Sequence, residues 1–152
     1  MQTEATETIT HEVKIEASPE TVFAFFTDPD KMVRWKGQIA RLDPRVGGEY
    51  YVDITGRDIA HGEYLEIDPP HRIVFTWGWE GEGHPIPPGS TRVEVTLEPD
   101  GDATILRLVH SGLPAGAGAQ HAEGWNMYLP RLVVAAAGGD PGKDPHMEEG
   151  GM

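Results

Sequence analysis

Hydrophobic and polar positions alternate along most of this chain, and in a few places the alternation gives way to a period near 3.6. In Ile9–Ala17, residues Ile9, His11, Val13, Ile15 and Ala17 share one face, while Thr10, Glu12, Lys14 and Glu16 share the other. That predicts a half-buried strand with its charged face in water. Residues 1–8 are polar and acidic and are predicted to form a flexible leader. Ser18-Pro19-Glu20 then reads as a helix start. The serine can cap, proline suits the first helical position, and the glutamate favours the positive end of the helix dipole. Asp28-Pro29-Asp30 repeats the signal, so a second short helix is expected over Lys31–Lys36, ending at Gly37.

A run of strand patterns follows. Ile39–Leu42 begins one, Glu49–Thr55 resumes after the Gly47-Gly48 turn, Gly56–His61 connects, and Gly62–Ile67 continues. Arg72–Trp79 is rich in β-branched and aromatic residues. Gly81–Ser90 has no periodicity and reads as loop. Thr91–Glu98 and Thr104–His110 flank Pro99-Asp100-Gly101-Asp102, a hairpin signal. The last pattern, Ala119–Ala137, is helical. Ala122, Trp125, Leu129, Leu132, Val133 and Ala136 fall on one stripe, and Gly138-Gly139 stop it. Residues 139–152 read as a disordered acidic tail. The expected fold is α+β: an antiparallel meander, curved around a long C-terminal helix, with two short helices after the first strand. Such a sheet seldom fills the whole space it encloses, so a cavity between sheet and helix is a natural ligand site.

Composition narrows the function. At 152 residues the chain is one domain, here placed over residues 9–138. A formal charge of -13 disfavours nucleic acid, whose phosphates need a basic surface, and anionic membranes. Without cysteine there are no disulfides, thiolate metal sites or cysteine nucleophiles. No signal peptide and no membrane-spanning run is visible, which predicts a cytoplasmic protein without membrane insertion. No cofactor is expected. The histidines show no metal-ligand spacing, no glycine-rich phosphate loop leads from a strand to a helix, and Ser111 sits in no nucleophile elbow.

The candidate ligand-binding residues lie on the inward phases. Tyr50 and Val52 share a face after the Gly47-Gly48 turn; Phe75, Trp77 and Val95 lie on central strands; Trp125, Leu129 and Leu132 lie on the helix stripe; Trp35 closes the second short helix. Each is equally suited to plain core packing. His110 shares the phase of Leu106 and Leu108, so it should point inward, where it would orient a ligand or act as acid or base near neutral pH, or else be satisfied at the strand end. Asp53 is expected to point outward, and Glu66 has no clear phase, so no carboxylate pair is assigned.

Ala17-Ser18-Pro19-Glu20 with Val22 and Phe23, Trp35, Val46-Gly47-Gly48-Glu49-Tyr50, the stretch Gly62–Trp77, Thr104 with Leu106 and Leu108, His110-Ser111-Gly112-Leu113, and Gly124-Trp125 followed by Leu129 and Leu132 resemble the START-like, Bet v 1-like (SRPBCC) superfamily. Within it they are most similar to the branch named after the activator of the heat-shock protein 90 ATPase. The resemblance spans roughly residues 9–138, in the family's order, and implies the helix-grip fold. The superfamily includes lipid and hormone carriers, polyketide aromatases and cyclases, and the chaperone co-activator, so the shared fold does not by itself transfer an activity.

Three functions remain in view. The first is binding of a small hydrophobic molecule, lipid-, polyketide- or aromatic-like, in the cavity. The second is an aromatase/cyclase- or hydrolase-like enzyme in which His110 and a tyrosine move protons. The third is a protein-interaction module, a chaperone co-activator or stress-response partner. A homodimer is a further expectation.

Overall fold

A computed structural model describes residues 6–54, 58–80 and 86–142. The leader residues 1–5, part of the expected connection at 55–57, loop residues 81–85 and tail residues 143–152 lie outside the described residues.

The elements run β1 (Thr6–Ile15), α1 (Pro19–Thr27), α2 (Pro29–Met32), β2 (Ile39–Leu42), β3 (Glu49–Asp53), β4 (Ile59–Asp68), β5 (Arg72–Trp77), β6 (Thr91–Asp100), β7 (Ala103–Pro114) and α3 (Gly118–Ala136). The strands form one 7-stranded sheet in the order β1-β7-β6-β5-β4-β3-β2, with every neighbouring pair antiparallel. Strands β2 to β7 are thus a meander, and β1 returns to pair with the last of them. Register shifts between Glu7 and Ile9 and between Tyr64 and Glu66 interrupt the ladders, as bulges do where a sheet bends.

The helix starts form as their sequences dictate. The Ser18 side chain accepts from the Thr21 N–H at 3.3 Å, and Asp28 accepts from the Asp30 N–H at 2.9 Å. α1 packs on β6 and β7, α2 on β2, and α3 on β1 and α1. The core between them is rich in aromatic contacts. Tyr50 stacks on Phe75 with ring centroids 4.1 Å apart, and the Trp35 ring meets Phe26 edge-on at 5.4 Å. Two polar tips in this core find backbone acceptors: the Trp35 indole donates to the Phe25 carbonyl and the Tyr64 hydroxyl to the Phe26 carbonyl.

α3 carries no side-chain cap of its own. A carboxylate from the far end of the chain takes that role. Glu7 on β1 accepts from the N–H groups of Gly116 at 3.1 Å and Gly118 at 2.6 Å. A negative charge there also suits the positive end of the helix dipole.

Several boundaries differ from those the periodicity predicts. β1 begins at Thr6, inside the expected leader, because Thr6 and Glu7 find partners in Pro114 and Leu113 of β7. β4 begins at Ile59, where the sequence reads as a connection, because Ile59, Ala60 and His61 pair with Asp53, Val52 and Tyr51. β5 stops at Trp77; Trp79 makes only a bridge to Ala60. The expected tail is held at its first residues: Arg131 donates to the carbonyls of Pro141 and Gly142 at 3.0 and 2.8 Å. On α3 the buried residues include Tyr128 and Ala135, while Ala122 and Val133 are only half-buried. No helix among the described residues is long and apolar enough to cross a membrane.

Candidate functional site

A cavity of about 540 Å³ opens between the end of β5, the segment around Ile86 and one face of α3. Trp77 and Trp79 wall it on one side, His121, Gly124, Trp125 and Tyr128 on the other. Its rim carries Asp58, Gln120 and Glu123, all exposed. Backbone contacts fix the first wall. The Trp79 N–H donates to the Ile86 carbonyl at 2.7 Å and the Glu80 N–H to the Ile59 carbonyl at 2.9 Å. Between the two tryptophans, a Cβ on Gly78 would collide with the Pro87 carbonyl, so the segment closes this tightly only around a glycine.

The rings form a continuous cluster. Trp77 meets Trp79 edge-on at 4.7 Å, His110 at 5.0 Å and His121 at 5.5 Å. The Trp79 indole donates to Nε2 of His121, whose Nδ1 faces the Ala117 carbonyl at 2.9 Å, which assigns the proton to Nδ1. The indole N–H of Trp77 is buried and has no hydrogen-bond acceptor among the described residues.

Lys36 reaches this cluster from the other side of the sequence. Its backbone N–H bonds to the Met32 carbonyl at 3.0 Å, and Gly37 follows with φ of 81°. A side chain at position 37 would press on Val52 and the Asp53 carbonyl. The turn sends the Lys36 side chain inward, where only 3% of the residue is exposed. Its ammonium lies 4.3 Å from the Trp125 ring centroid, 5.4 Å from Tyr128 and 5.6 Å from Trp77. Such cation–ring contacts strengthen when desolvated.

His110 is fully buried, not at the cavity surface. The Trp125 indole donates to its Nδ1 at 3.1 Å. Its Nε2 lies 2.8 Å from the Thr91 hydroxyl, which itself donates to the Trp77 carbonyl at 2.6 Å. With its one proton committed to Trp77, Thr91 must accept from His110. The imidazole is therefore neutral with its proton on Nε2. Burial, and then the neighbouring His121 and Lys36, push its pKa down to about 3. The expected acid or base near neutral pH is not what this geometry provides. Burial likewise pushes the Tyr50 and Tyr64 hydroxyls well above their usual range, so both stay protonated at neutral pH.

A sequence profile for the Activator of Hsp90 ATPase homolog 1-like protein matches residues 16–137. The chain belongs to that family. An AHSA1-like protein from Rhizobium etli, solved by solution NMR, is similar at 44% identity, with 95% of this chain and 92% of that one covered and a TM-score of 0.75. An HSP90 activator from Plasmodium falciparum is 26% identical over 84% of this chain and 94% of that one, with a TM-score of 0.71. DynU16, a protein of the dynemicin biosynthetic locus, is 27% identical over 90% of this chain and 49% of its own, with a TM-score of 0.77. No curated protein matches the chain.

In this AHSA1-like domain, Trp77 and Trp125 are the sequence-predicted residues that line the cavity. Trp35, Tyr50, Val52, Phe75, Val95, His110, Leu129 and Leu132 are buried in the packed core beside it. They fill the interior because the inward phase of a strand marks burial, and most buried side chains touch other side chains. Asp53, expected to point outward, is 9% exposed and lies near the Gln38 amide at 3.4 Å. Tyr128, whose hydroxyl the sequence places near the enclosure, lines the cavity as well; Lys36, Trp79, Ile86, His121 and Gly124 are among the lining residues that sequence reasoning did not assign to it. One signal was available: His121, Gly124, Trp125 and Tyr128 are spaced three, four and seven residues from the first, which is one helix face. Among the described residues, no three His, Asp or Glu side chains converge as a metal site.

Proposed function

We propose that this AHSA1-like domain binds a small apolar, ring-bearing molecule in the cavity between β5 and α3. The supporting observation is the cavity itself, about 540 Å³ and walled by Trp77, Trp79 and Trp125. That volume falls within the ~300–1,000 Å³ of typical small-molecule sites. Flat indole walls favour rings over flexible chains. The membership of DynU16 in a biosynthetic locus agrees with a small-molecule role.

Gly124 offers a direct test. It lines the cavity, and a Cβ placed on it would meet nothing within 4 Å. Gly124→Phe would fill the cavity from a helical position without displacing the core. A screen of aromatic polyketides, sterols and fatty acids by thermal shift should find a stabilising class for the native protein. Gly124→Phe should fold with undiminished stability and lose that stabilisation. A folded Gly124→Phe protein that binds the same compound equally well would place the ligand elsewhere.

The names carried by the family and by the Plasmodium falciparum protein favour a second reading, a chaperone co-activator. On names it stands ahead; on geometry the cavity does. A chain with net charge -13 would steer toward a basic partner surface. The deciding measurement is the ATPase rate of a heat-shock protein 90 with and without this protein. Stimulation that persists in Gly124→Phe and falls with added salt would favour the second reading.

A further inference from the structure

We infer that the free edge of β2 is a docking site for an extended, acidic segment of a partner protein, taken up as an added strand. The inference is independent of the cavity. The sheet has two edges, β1 and β2. β1 carries Glu12 and Lys14, charges of the kind that discourage edge pairing, and α3 packs on it. β2 is less guarded. It holds no proline, and its ladder with β3 runs without a bulge. Its one charge, Arg41, is engaged with Glu49 at 3.3 Å and lies over the Tyr51 ring. Ile39, on the same face, is 52% exposed.

The backbone of that edge is available. The Asp43 N–H donates to the Glu49 carbonyl at 2.9 Å, and orientation repeats every two residues along an antiparallel ladder, so Ile39 and Arg41 face β3. Ala40 and Leu42 turn their N–H and carbonyl groups outward, where these have no hydrogen-bond partner among the described residues. An extended chain laid along β2 satisfies them.

Charge selects the occupant. Five of the chain's 12 Lys and Arg residues, Lys31, Arg34, Lys36, Arg41 and Arg45, fall within residues 31–45, against one acidic residue, Asp43. Lys36 is turned inward, and Arg41 and Arg45 have carboxylate partners. Of Asp28 and Asp30, which precede this run, the first caps α2. Lys31 and Arg34 form no ion pair among the described residues, and α2, which carries Lys31, packs on β2. The remaining negative charge of the chain is screened beyond about 8 Å at physiological salt, so the local cations decide what approaches this edge. The same charges disfavour a second copy. Two β2 strands paired antiparallel through Ala40 and Leu42 set Arg41 opposite Arg41, and like charges directly opposite destabilise a ladder. A segment that alternates apolar and acidic residues fits Ile39 and Arg41 instead.

Two blocked heptapeptides, one alternating glutamate with valine and the other lysine with valine, test this by NMR on the isotope-labelled protein. Saturation with the glutamate peptide should slow hydrogen exchange of the Ala40 and Leu42 amides at least about tenfold and leave those of Ile39 and Arg41, already bonded to β3, unchanged. The lysine peptide should bind at least about tenfold more weakly, and the double variant Lys31→Glu, Arg34→Glu should abolish that preference. Ala40→Pro removes one outward N–H at an edge position that tolerates proline, and should weaken binding of the glutamate peptide. If Ala40→Pro does not fold, the exposed charge variants and the exchange pattern still decide. No binding of the glutamate peptide, equal binding of the two peptides, or binding without protection at Ala40 and Leu42 would overturn the proposal. So would a dimer in sedimentation that protects those same amides, since the edge would then belong to a second copy.

Discussion

The indole N–H of Trp125 on α3 points at Nδ1 of His110 on β7, 3.1 Å away, so a helix residue determines the protonation of a strand residue. A protonated imidazole would carry N–H on both ring nitrogens, and the Trp125 donor would then face another donor.

Stability should therefore fall with acid in a particular window. The folded pKa of His110 is about 3, below the ordinary 6.5 of the unfolded chain. Between those values the unfolded state binds a proton that the folded state does not. Stability is complete above 6.5 and falls as the pH drops toward 3, by about 1.4 kcal/mol per pH unit at most. Urea unfolding at pH 7, 6 and 5 should show this slope in the native protein and a flatter one in His110→Asn. An imidazole that titrates near pH 6.5 by NMR would contradict the assignment.

Glu7 predicts a second acid effect. Its bonds to the backbone N–H groups of Gly116 and Gly118 hold its carboxyl below the usual carboxylate range. That contribution is complete above the unfolded pKa and is lost as the pH falls through the lower, folded one. Glu7→Ala should lower the melting temperature by a few degrees at pH 7, since the start of α3 loses its only side-chain acceptors among the described residues. At pH 3 the difference between the two proteins should narrow.

Among the described residues, Arg131 joins the carbonyls of Trp35, Pro141 and Gly142. Arg131→Met keeps most of the apolar stem and removes the donors. It should cost about 1–3 kcal/mol, chiefly by leaving the Trp35 carbonyl unsatisfied. Hydrogen exchange should show faster exchange at the Gly142 amide, whose partner is the Asp140 carboxylate 2.8 Å away, because the segment has lost its anchor.

The fold was legible where periodicity is strong. Alternation in Thr91–Glu98 and Thr104–His110 marks two paired strands, and the stripe through Trp125, Leu129 and Leu132 marks the face of α3 that is buried. The cavity was less legible, for physical reasons. Inward phase identifies Tyr50 and Phe75 as buried but does not say whether a ring or a void lies opposite; here each stacks on the other. Lys36 is, in the sequence, the last residue of a predicted short helix, and the Gly37 turn and rings from two other elements, distant in the chain, accompany it inside. Ile86 sits in a segment without periodicity, held by its carbonyl bond to Trp79. The state of His110 depends on Thr91 and Trp125, which lie 19 and 15 residues from it in opposite directions.

The pairing of β1 with β7 also sets a timetable for synthesis. Thr104, which bonds to the Ala17 carbonyl just beyond β1, lies 87 residues later in the chain. At roughly 5–20 residues per second, a nascent β1 waits on the order of ten seconds for its partner strand to leave the ribosome. During that interval Ile9, Val13 and Ile15 have no sheet to cover them, while Glu12, Lys14 and Glu16 alternate with them along the strand. Those charges discourage pairing with other nascent chains. The charged face of β1 thus protects the growing polypeptide well before it becomes the outer edge of a finished sheet.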